Sequence, residues 1–185
     1  MKQILKSQVI IGNDIIEWQN AKKQLHKLKP RCLEKLFNTS EINYINNHEF
    51  PILAFWHLWS VKESAYKAWQ RLENAKPIFN PYAFCCQDIQ SHSVRVVNGD
   101  FSCRVETVFN SAYIYSQCQS KSLNFKILKS NIEFLNLKNQ WKKQGWHIQK
   151  NSYNIPSLFH NKHNIQKPIS ISHDNGFTAV CWFDD

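Results

Sequence analysis

Apolar and polar positions alternate with two rhythms along the chain. Residues 8–15, Q-V-I-I-G-N-D-I, form a short β-branched run and predict a buried strand whose exit carries Asp14. Trp18, Leu25 and Leu28 mark a rough helical stripe over residues 17–29, closed by Pro30. Phe37-Asn38-Thr39-Ser40-Glu41 offers capping residues ahead of Ile42, Tyr44 and Ile45, so a second short helix is expected there. The clearest element is residues 50–72, where Pro51 suits a first helical turn and nothing later breaks the run. Leu53, Trp56, Val61, Ala65 and Trp69 give it a broad surface to bury. Trp59, Glu63 and Lys67 are spaced to share one face, which puts a charged pair on an otherwise aromatic stripe.

After residue 90 the rhythm turns β-like. Residues 92–98 and 101–109 predict a hairpin around Asn98-Gly99. Residues 112–118 and 123–128 continue as strands. Residues 131–153 carry Leu135, Trp141 and Trp146 but fit neither period. Residues 168–183 read as two strands joined at Asn175-Gly176. No internal repeat is visible, and the elements imply a mixed α+β class.

The chain has 185 residues, enough for one domain with a real core, and its 43% apolar content excludes wholesale disorder. Lys and Arg outnumber Asp and Glu by 23 to 14, which favours a polyanionic partner without choosing among nucleic acid, an acidic protein and a phosphate-rich cofactor. Six cysteines include the adjacent pair Cys85-Cys86 but no C-x-x-C pair, so neither a disulfide framework nor zinc is indicated. His160 and His163 form an H-x-x-H without a nearby acid and read as loop residues. Residues 1–7 do not resemble a signal peptide, and no apolar run reaches the roughly 20 residues of a membrane helix. A cytoplasmic protein with free thiols is expected.

Three clusters carry candidate chemistry. Asp14, in G-N-D-I, is an acid at the end of a buried strand, which needs a cation nearby unless it simply forms a turn. Glu63, in W-S-V-K-E-S-A-Y-K, is a hard oxygen ligand or proton acceptor flanked by Lys62 and Lys67; an ordinary salt bridge to Lys67 is the plainer reading. In P-I-S-I-S-H-D, alternation places Ser170 and Ser172 on one face, with His173 turned away from them. Those groups suit phosphate oxygens or a turn cap, and Ser172 lacks the context of a nucleophilic serine.

Together these segments, with F-N-T-S-E-I at residues 37–42, resemble the 4′-phosphopantetheinyl transferases in content, order and spacing. The resemblance covers residues 9–71 and 168–180. With the serine-histidine segment last, the chain is closest to the short holo-acyl-carrier-protein synthase type. Its greater length implies an insertion around residues 91–165 within one domain spanning 1–185. The resemblance implies a long central helix packed on a small antiparallel sheet. It also implies Mg²⁺-dependent transfer of phosphopantetheine from coenzyme A to a serine of an acidic acyl or peptidyl carrier protein, releasing adenosine 3′,5′-bisphosphate.

Carried over, Asp14 and Glu63 would hold Mg²⁺, and Lys62 and Lys67 would neutralise phosphate charge. Glu63, or a water it orients, would take the serine proton. Ser172 and His173 would contact the nucleotide end of coenzyme A. Asn13, Ile16, Trp69 and Gln70 depart from the family pattern; Ile16 stands where the long type has a third acidic ligand. Short-type relatives build their site between subunits of a trimer. The rival readings are a non-catalytic coenzyme-A-binding partner or regulator, and a nucleic-acid-binding module, for which no signature is present.

Overall fold

The computed structural model describes residues 10–118 and 123–183. Ten strands form two antiparallel sheets of five. In the first, β1 (Asn13–Glu17), β2 (Cys85–Gln87), β3 (Ser93–Asn98), β4 (Phe101–Phe109) and β5 (Tyr113–Cys118) run in the order β1-β5-β4-β3-β2. In the second, β6 (Leu123–Leu128), β7 (Trp146–Lys150), β8 (Pro156–His160), β9 (Ile165–Asp174) and β10 (Phe177–Phe183) run β6-β10-β9-β8-β7. Each sheet pairs its first strand with its last, and in each the main helix falls between the first strand and the second. One topology is thus used twice, a repeat the sequence does not display because the two units share architecture and not side chains.

The helices α1 (Trp18–Ala21), α2 (Pro30–Leu36), α3 (Thr39–Asn47) and α4 (Pro51–Glu73) belong to the first unit, and α5 (Asn131–Lys143) to the second. The apolar side of α4 (Ala54, Phe55, Leu58, Val61, Ala65) packs on Val94, Val96 and Val105 of the first sheet, with Leu33, Phe37 and Ile45 closing the far side. Leu137 and Trp141 of α5 cover Leu128, Leu158, Ile169 and Val180 of the second. Ile15 and Tyr115 meet Ala179, with Ile127 and Phe177 around them, where the units join. Tyr115 stacks on Phe125 across that seam at 4.9 Å.

Several expectations change. The first strand lies later than 8–15, so Asp14 falls near its start and not at its exit; residues 8 and 9 lie outside the described residues. The helix expected over 17–29 breaks into α1 and a 3₁₀ turn at Leu25–Leu28, because only Ala21 of the two is buried. Pro30 opens α2 instead of closing a helix, since the first helical position loses nothing by lacking an N–H. The ambiguous 131–153 stretch becomes α5, capped by Ser130 accepting from the Glu133 N–H at 3.2 Å, and then β7. His160 is a buried residue at the end of β8, not a loop residue; its Nδ1 accepts from the His163 N–H and its Nε2 faces the Gln144 carbonyl. Within residues 91–165, where an insertion is expected, β3 to β5 belong to the first sheet and β6 to β8 to the second. Asn175-Gly176, with φ of 39° and 91°, makes the β9–β10 turn as expected. Among the described residues no helix is long and apolar enough to cross a membrane.

Candidate active site

Gly12 decides how near β1 comes to α4. A Cβ there would stand 2.1 Å from the Ser64 carbonyl oxygen and 2.7 Å from the Ala68 nitrogen, so only glycine permits this approach. Two residues on, Asp14 faces the helix. The Lys67 ammonium donates to the Asn13 carbonyl at 3.0 Å, lies 3.2 Å from Asp14 Oδ1 and 3.3 Å from Glu63 Oε1. The acid near the start of β1 and the helix pair, distant in sequence, are thereby joined through one cation.

Asp14 is buried, and its Oδ2 has no partner at hydrogen-bonding distance; the Ser60 hydroxyl, also unpartnered, is near enough to favour the ionised form slightly. Burial raises the Asp14 carboxyl to about 7, opposed by Lys67 and reinforced by Glu63. Burial works against the Lys67 charge too, but the facing Asp14 and Glu63 carboxylates outweigh it and raise the lysine. Glu63 and Lys67 remain partly open, their side chains 28% and 22% exposed.

Asp14 and Glu63 border a cavity of about 450 Å³. Asp14, Glu63, His173 and Asp174 contribute polar walls, Trp56, Trp59 and Ile16 apolar ones, and Lys27 and Lys35 bring positive charge. His173 meets Thr178 Oγ1 at 2.8 Å through Nδ1 and sets its ring edge-on to Phe134. Burial, with Lys67, Lys150 and Lys138 nearby, holds its imidazole below the usual value.

Two expected site residues lie elsewhere. Lys62 is fully buried, one residue from Glu63 but turned about 100° around the helix. Its ammonium donates to Glu41 Oε2 at 2.7 Å and to the Leu36 and Pro81 carbonyls at 3.0 Å each, which uses all three N–H bonds and leaves none for a phosphate. Glu41 also accepts from the Asn38 and Cys86 N–H groups, so the F-N-T-S-E-I stretch and Lys62 make one internal ion pair. Ser172 is buried with an unpartnered hydroxyl and does not reach the cavity. Ser170 instead bonds the first unit, accepting from the Asn13 N–H at 3.1 Å.

Asp174 was not singled out from the sequence, although it ends the S-I-S-H-D segment. It lines the cavity, and its Oδ2 accepts from the Glu17 N–H at 2.6 Å. Trp59 opens the W-S-V-K-E-S-A-Y-K motif, whereas Lys27, Lys35 and Trp56 lie in no motif that would mark them.

Among the described residues no three His, Cys, Asp or Glu side chains cluster as a self-sufficient metal site. Two facing carboxylates, one with a buried orphan oxygen, nonetheless fit a hard divalent cation that takes its other ligands from phosphate and water.

A comparison with curated proteins returns no match. A family model, that of the 4′-phosphopantetheinyl transferase superfamily, matches residues 10–118. That span holds Asp14, Glu63, Lys67 and the whole first sheet; it runs past the resemblance at residue 71 and stops before the S-I-S-H-D segment. On this match over more than half of its length, the chain belongs to the 4′-phosphopantetheinyl transferase superfamily.

Proposed function

We propose that the protein transfers the 4′-phosphopantetheine group of coenzyme A to a serine of an acyl or peptidyl carrier protein and releases adenosine 3′,5′-bisphosphate. The observation that carries this reading is the meeting of Asp14 and Glu63, two carboxylates that line one cavity, around the Lys67 ammonium. Asp14 and Glu63 would hold Mg²⁺, which when bound supplies the charge neutralisation that attack on a pyrophosphate requires.

The serine oxygen forms a bond to the pantetheine-bearing phosphorus, and the bond from that phosphorus to the bridging oxygen breaks towards the nucleotide. Glu63, partly exposed on the cavity side, accepts the serine proton. Lys67 stabilises charge passing to the leaving phosphate. His173 borders the same cavity and suits the nucleotide end of coenzyme A. Trp56 and Trp59 exclude water from one wall.

An acidic carrier suits the surface beside the cavity. Lys22, Lys23, Lys29 and Arg31 are exposed on the segment that also presents Lys27 and Lys35. Such a surface speeds encounter and makes it salt-sensitive. All six cysteines are free, and Cys103 and Cys118 stand unbonded at 3.8 Å, which suits a reducing cytoplasm.

The test is intact-mass measurement of apo carrier proteins incubated with the enzyme, Mg²⁺ and coenzyme A. A gain of one phosphopantetheine is expected, and its loss with Glu63→Gln, which keeps the fold. Tight coenzyme A binding without transfer to any carrier would mark a non-catalytic partner or regulator instead.

A further inference from the structure

β1 is the edge strand of the first sheet, bonded on one side to β5. The N–H groups on its other side are buried and need acceptors. The second unit meets that edge with side chains. Ser170 Oγ accepts from the Asn13 N–H at 3.1 Å and Asp174 Oδ2 from the Glu17 N–H at 2.6 Å. The spacing from 13 to 17 equals that from 170 to 174, so β9 lies parallel to β1 with two rungs a fixed distance apart. Asp14 sits between them.

The same β9 is held by α4. Arg71, one turn beyond Lys67, donates through Nη2 to the Ile169 carbonyl of β9 and to the Pro156 carbonyl of β8. The connections close a circuit: Lys67 grips the Asn13 carbonyl, Ser170 grips the Asn13 N–H, and Arg71 grips the residue before Ser170. The peptide unit on each side of Asn13 is fixed, and with it the point from which the Asp14 side chain departs.

We propose that Arg71, Ser170 and Asp174 are positioning residues, through which the second unit sets Asp14 against Glu63 for cation binding and transfer. The assignment rests on the transferase reading for its kinetic part. It separates two roles within S-I-S-H-D: Ser170 and Asp174 hold the strand, whereas the buried, unpartnered Ser172 hydroxyl does neither that nor touch the cavity. Asp174 acts here as a hydrogen-bond acceptor, and its negative charge is not what the role requires.

The experiment compares Asp174→Ala with Asp174→Asn, and Ser170→Ala with Ser170→Thr, using Ser172→Ala as control. Mg²⁺ binding to the free enzyme is measured by calorimetry, alongside kcat and the KM for coenzyme A. The alanine changes at 170 and 174 should weaken Mg²⁺ binding and lower kcat, each by about tenfold, with the KM for coenzyme A moving less than about twofold, because displacing a reacting group by a fraction of an ångström costs rate more than binding. Asn at 174 and Thr at 170 keep an acceptor oxygen and should restore most of both. Should an alanine variant fail to fold, the Asn and Thr variants against wild type carry the comparison. Asp174→Asn as defective as a charge loss at a metal ligand, or alanine variants with wild-type Mg²⁺ affinity, would overturn the assignment. A wild-type enzyme that transfers nothing counts against the functional reading alone, since the Mg²⁺ titration still decides the positioning role.

Discussion

One step along α4, from Lys62 to Glu63, carries the chain from a sealed core into the cavity. In sequence the two share a motif, and adjacency hides the rotation that parts them; Glu63 and Lys67 share a helix face by their spacing, whereas Asp14 is tied to them in the sequence only through the family resemblance. Lys62 has no solvent exposure and neutralises Glu41, also fully buried. Breaking such a pair strands a charge in the interior and costs about 3–5 kcal/mol. Lys62→Met should therefore lower the urea midpoint strongly while folded enzyme keeps its KM for coenzyme A; a raised KM with unchanged stability would return Lys62 to the site.

Two buried groups on this scale titrate in opposite senses. Burial, with His48 and His92 nearby, lowers His57 from 6.5 to about 4. The unfolded chain takes up the proton first, so the neutral ring's contribution is full above pH 6.5 and is lost as pH falls towards 4, about 3 kcal/mol in all. The raised Asp14 carboxyl behaves oppositely: its contribution is full below 3.8 and is lost as pH rises towards 7. In metal-free buffer the wild-type curve should be shallow between these limits. Denaturant titrations should show Asp14→Asn losing stability steeply on acidification and His57→Leu gaining it; parallel curves for all three would refute both assignments.

At the scale of elements, α4 divides its surface between three tasks. One side packs on the sheet, a second meets α2 and α3, and the stripe Trp59, Glu63, Lys67 and Arg71 serves the cavity and the second unit. Its extent was legible because a long unbroken apolar pattern with proline at its start has few alternatives. The start of β1 was not, because its position depends on the close crossing at Gly12, a tertiary constraint. Gly12→Ala must push β1 away from the Ser64 carbonyl. Both melting temperature and transfer rate should fall, and an alanine enzyme of normal rate would show that the crossing tolerates more separation than the geometry implies.

At the scale of the molecule, two units of like topology supply one cleft. The second unit contributes His173 and Asp174 but no counterpart of the α4 acids: the only carboxylate on α5, Glu133, is engaged with the Lys129 N–H at the helix start. This division was illegible in the sequence, where a repeat of architecture without a repeat of residues leaves no periodic signal, and the extra length read as an insertion. Both units line the cavity.

The seam through Ile15, Tyr115 and Ala179 also makes the chain divisible in principle. Cut between its two halves, it would yield one fragment bearing the acids and another bearing the histidine, each exposing an apolar face made for the other. Chemistry would then report their reunion, and the enzyme would become a sensor of whatever brings two fused partners together.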